Sequence, residues 1–123
     1  MYSVLRVTGQ PDIHPELAAL VSSINAARPQ MANDRRRGDG FTVHISSSEV
    51  WNEHLRSLTS FVSSFVDQIA KANLLGASVT FDVAIEPEDR DVGHRLHHAV
   101  RFGPELLTLL STVGVGIEVT SYP

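Results

Sequence analysis

Three of the six histidines in this 123-residue chain crowd into GHRLHHAV at 93–100. His94, His97 and His98 invite a metal site or a general base, so their spacing is the first thing to test. Leu96, His98, Val100 and Phe102 alternate with Arg95, His97, Ala99 and Arg101, which is the period of a half-buried strand over 94–102. On such a strand His97 and His98 point to opposite faces and cannot share an ion. His94 and His98 share a face but stand about 13 Å apart. The chain has no cysteine, and neither a third ligand nor an H-E-x-x-H pattern accompanies the cluster. No metal is expected here: His97 reads as a solvated face residue, and His98 as a partly buried one with a backbone partner.

Other groups are weighed the same way. Arg35, Arg36 and Arg37 could grip a phosphate or an acidic partner and are kept as a candidate binding loop, although a net charge of −4 favours a merely solvated loop. The RGD at 37–39 is a three-letter match of the kind that arises by chance. Glu86, Glu88, Asp89 and Asp91 crowd one turn but miss the ligand spacing of a calcium loop. Ser46, Ser47 and Ser48 precede a helix and read as caps. There is no G-x-S-x-G and no glycine-rich phosphate loop, so no cofactor is expected.

The elements that must position these residues follow from periodicity. SVLRVT (3–8) is a strand ending at Gly9. Asp12 can cap a helix carrying Pro15 and Glu16 in its first turn and Ile13, Leu17, Leu20, Val21 and Ile24 on its apolar side. Residues 30–40 have no period and read as a loop. FTVHI (41–45) is the next strand. Ser46 and Glu49 have capping-box spacing before a long helix, with Trp51, Leu55, Leu58, Phe61, Val62, Phe65, Ile69 and Ala72 on one stripe and Gly76 at its end. Strand 78–86 leads through a turn into the 94–102 stretch. A helix from Pro104 to Gly114 and a final strand over 115–122 complete the chain.

The order β-α-β-α-β-β-α-β, with alternation in its strands, predicts one α+β domain over residues 1–123. It is a two-layer sandwich with a mostly antiparallel sheet of about five strands and helices on one face, a ferredoxin-like variant. The outward register collects Arg6, Thr42, His44, Thr80, Asp82, Arg95, His97, Arg101, Glu118 and Thr120 on the other face. That face is either a cross-strand ion-pair lattice or a recognition surface.

Composition bounds the classes. Hydrophobic residues at 42% and charged ones at 20% are ordinary for a globular fold. The acidic balance disfavours nucleic acid, no apolar run reaches membrane-spanning length, and the first residues read as a strand and not as a signal peptide. A cytoplasmic bacterial protein is expected.

The stretch VLRVTGQPDIHPELAAL, Pro29, the Gly38–Asp39 loop, the long middle helix and the ending FGPELLTLLSTVGVGIEVTSY carry a resemblance. Across nearly its whole length the chain resembles a small bacterial family known as domain of unknown function number forty-two seventy-nine. It has NAARP where that family's leucine–glycine step would precede the proline. The resemblance implies an α+β fold and no established activity, and it assigns no catalytic residue.

The leading functional expectation is a non-enzymatic protein-binding module, an immunity-type or accessory protein. Its candidate face comprises His44, Asp82, Arg95, His97, Arg101 and Glu118. The alternative is a small-molecule-binding or hydrolytic site in which His44 or His97 pairs with Asp82 across strands, beside Arg101. A monomer, or a homodimer paired through an edge strand or sheet face, fits either reading.

Overall fold

The computed structural model describes residues 1–29, 32–34, 39–86 and 100–121. Strand β1 (Tyr2–Thr8) leads through a 3-10 turn at Pro11–Ile13 into helix α1 (His14–Ala27). Strands β2 (Ala32–Asp34) and β3 (Gly40–Ser46) follow, then helices α2 (Trp51–Ser64) and α3 (Val66–Leu74). Strand β4 (Ser78–Ile85), helix α4 (Pro104–Val113) and strand β5 (Val115–Ser121) complete the described elements.

The strands form a mixed sheet in the order β2-β3-β1-β4-β5. Among the described strands only the β4–β5 pair is parallel, with α4 as its crossover. β3 and β4 both run against β1, which lies between them, so β3, the α2–α3 pair and β4 make a split β-α-β unit. Alternation decides the two faces. Leu5, Val7, Phe41, Val43, Val79, Phe81 and Val83 are buried and pack with Leu17, Ile24, Leu58, Phe61, Val62, Ile69 and Leu110 from the helices. The fold is the expected α+β two-layer sandwich. No helix among the described residues is long and apolar enough to cross a membrane.

Several local expectations give way to tertiary contacts. Residues 32–34, read as loop, form β2 because Asn25 clamps Ala32. The Asn25 side-chain amide donates to the Ala32 carbonyl at 2.8 Å, and the Ala32 N–H donates back to Asn25 Oδ1 at 2.9 Å. Asp12 does not cap α1; the chain enters through the 3-10 turn, with the Ile13 N–H on the Gln10 carbonyl. The Ser46–Glu49 capping box does not form either. Ser46 Oγ accepts from the Ser48 N–H and Ser48 Oγ accepts from the Val50 N–H, so these serines satisfy their own turn and delay the helix to Trp51. The long helix is interrupted at Phe65, next to Ser64, whose hydroxyl bonds the Ser60 carbonyl. Back-bonding of this kind bends helices.

The strand expected over 94–102 is absent where it is described: Val100, Arg101 and Phe102 lie in irregular chain. Phe102 packs edge-on to Trp51 at 5.4 Å and to Phe81 at 6.3 Å, and Trp51 Nε1 donates to the Arg101 carbonyl at 3.0 Å. These contacts draw the segment toward the helix layer. Residues 94–99 lie outside the described residues.

Candidate binding face of the sheet

Cross-strand register builds the outward face from β1. Arg6 stands opposite Thr42 on β3 and Thr80 on β4, while Val4 stands opposite His44 and Asp82. Asp82 is in turn opposite Glu118 on β5. No helix among the described residues packs on this side.

Its centre is an ion network. Arg6 Nη1 lies 3.2 Å from Asp82 Oδ2, and Nη2 donates to Glu118 Oε2 at 3.1 Å. One guanidinium therefore separates two carboxylates that the β4–β5 register sets side by side, where they would otherwise repel. Asp82 is the more sheltered; the Glu118 side chain remains 55% exposed and can still meet a partner.

A second group lies along the same face. His44 is exposed, its Nε2 is 2.8 Å from Ser47 Oγ, and its ring is 5.5 Å from Tyr2. The β1–β3 register shifts between Ser3 and Val4, leaving Ile45 with no residue directly opposite. Such a bulge re-aims neighbouring side chains. His44 turns outward here while Ser46, two residues on, is buried.

The expected His44–Asp82 acid–base pair is not formed. Both residues oppose Val4, one on each flank of β1, so their strands are about 10 Å apart. Arg101 is exposed and lies in irregular chain outside any strand, its carbonyl accepting from Trp51 Nε1. Arg95, His97, Arg35, Arg36 and Arg37 lie outside the described residues. Of the candidate residues, the structure brings Asp82 and Glu118 together through Arg6, while His44 lies on the same face two strands from Asp82.

The chain matches no family model, no curated protein and no solved structure.

One polar site was missed in the sequence, and it faces inward. His54 is fully buried on α2 with Nδ1 2.6 Å from Ser3 Oγ and Nε2 2.6 Å from the Ser48 carbonyl oxygen. A carbonyl only accepts, so Nε2 carries a hydrogen, and in the neutral ring Nδ1 takes the Ser3 hydroxyl hydrogen. Trp51 stacks on the ring at 5.8 Å. The signal was present: His54 falls on the Trp51–Leu58–Phe61 stripe, and Ser3 shares the parity of Leu5 and Val7. Ser3 and His54 are both sealed from solvent, so the pair braces β1 against the start of α2 and is closed to substrate.

Outside the sheet, an open cleft of about 500 Å³ lies between α2 and α4, lined by Leu55, Arg56, Thr59, Glu105, Leu106 and Leu109. Its apolar walls carry one charge of each sign, and none of the described histidines lines it.

Proposed function

We propose that the protein is a non-enzymatic binding module that captures a protein partner on the outward sheet face. In this reading it acts as an immunity-type or accessory protein in the bacterial cytoplasm. The observation that carries this reading is the Arg6–Asp82–Glu118 network on a sheet face that no described helix covers. Its charges are already positioned, so a partner gains complementarity without ordering them again. The net charge of −4 and the exposed Glu118 suit a basic partner surface. The family resemblance brings an α+β fold and no established activity, and it assigns no catalytic residue to this chain.

The test is affinity capture from the source cytoplasm with three baits: wild type, Glu118→Arg on the face, and Arg56→Ala in the helical cleft. A stoichiometric protein held by wild type and Arg56→Ala but released by Glu118→Arg supports the reading. Retention by all three baits moves the site off this face.

A second reading rests on the His44–Ser47 contact, which has nucleophile–base geometry. Among the described residues none holds the other ring nitrogen of His44, so the orienting member of a triad is missing. Hydrolysis of p-nitrophenyl acetate that is lost in Ser47→Ala would favour this reading over binding.

A further inference from the structure

The two edges of the sheet are built differently. Natural edges are kept from pairing by being short, by charge, by proline or by a bulge. β2 is three residues long and meets the first condition. β5 runs for seven residues, Val115–Ser121, contains no proline, and pairs in unbroken register with β4. No strand among the described residues pairs with its outer side. Its one charge, Glu118, is partly neutralised by Arg6 on the outward face, which weakens the usual guard.

The core face of β5 is also unfinished. Ile117 and Val119 stand opposite Phe81 and Val83, both 0% exposed, yet are themselves 37% and 42% exposed. An apolar row that begins in the core therefore runs out into solvent at this edge.

We infer that β5 pairs with β5 of a second copy of this chain, antiparallel about a two-fold axis through Ile117. The side-chain pairing favours that occupant and that register over two-folds at Glu118 or Val119. A two-fold at Ile117 sets the two Ile117 side chains together and Val119 against the partner's Val115. It also sets Glu118 against the partner's Gly116, which has no side chain to crowd the carboxylate or Arg6. A two-fold at Glu118 would oppose two like charges, and one at Val119 would set Ile117 against the partner's Ser121. The Ile117 register matches apolar with apolar and leaves no carboxylate facing another. The result is one continuous sheet across two copies, with both polar faces on the same side, in the closed two-fold form that homodimers favour.

The chain has no cysteine, which makes the test clean. Directly opposed residues in an antiparallel pair have Cα atoms about 4.5–5.5 Å apart, within disulfide range. Mild oxidation of Ile117→Cys should convert most of the protein to a covalent dimer. Val119→Cys, whose own copies would stand about 13 Å apart, should remain uncrosslinked. Without oxidant, light scattering should give twice the chain mass for wild type and the single-chain mass for Ile117→Lys and Val119→Lys, two exposed positions whose folding is checked by circular dichroism. Wild type that stays monomeric at all concentrations overturns the inference. So does a dimer that survives both lysine variants, or equal crosslinking at 117 and 119.

Discussion

His54 and His44 each meet a serine, and the difference between them separates scaffold from candidate site. His54 lies on the core side, holds Ser3 and the Ser48 carbonyl with its two ring nitrogens, and is fully buried. His44 lies on the other face of the same sheet, touches Ser47 with one nitrogen, and is exposed. The chemistry of the pairs is similar; their surroundings are opposite. Inside, each nitrogen must be matched, because an unmatched buried polar group costs about 1–3 kcal/mol. Outside, water supplies any missing partner, so the surface histidine is free to change with function.

That contrast yields a graded set of expectations for chemical denaturation. Phe61→Ala, at the fully buried centre of the α2 stripe and 4.8 Å from the Phe65 ring, should cost about 3–5 kcal/mol. His54→Ala should cost about 2–4 kcal/mol, since it leaves a cavity and strands the Ser48 carbonyl and Ser3 hydroxyl. If His54→Ala costs no more than His44→Ala, the buried pair is not the brace described above.

Arg6→Ala should cost about 1 kcal/mol. Partly exposed pairs contribute little, but this change also leaves Asp82 and Glu118 unseparated. The loss should shrink in high salt as the carboxylate repulsion is screened. His44→Ala should be the mildest, within about 0.5 kcal/mol; a larger loss would move His44 from the site to the scaffold.

The two faces were legible because period-two alternation needs only local sequence. Arg6, Thr42, His44, Thr80, Asp82 and Glu118 all fall outward as their parity requires. What escaped the sequence depends on distant partners. β2 exists through Asn25 and its pairing with β3, and nothing within residues 32–34 announces it. The start of α2 moved because Ser46 and Ser48 could bond their own turn as readily as cap a helix. Residues 100–102 are not a strand because alternation over 94–102 carries no information about Trp51, whose ring N–H donates to the Arg101 carbonyl. The ion network was half legible: parity put Arg6, Asp82 and Glu118 on one face, but only strand order, with β1 beside β4 and β4 beside β5, brings them within reach.

The central claim is that function resides on the outward face and not in a reactive group. Its most direct measurement is a calorimetric titration of the captured partner into wild type and Glu118→Arg, both with intact melting transitions. The account predicts binding at least about tenfold weaker for the variant, about 1.4 kcal/mol, and a wild-type affinity that falls as salt rises. Equal affinities, insensitive to salt, would contradict it.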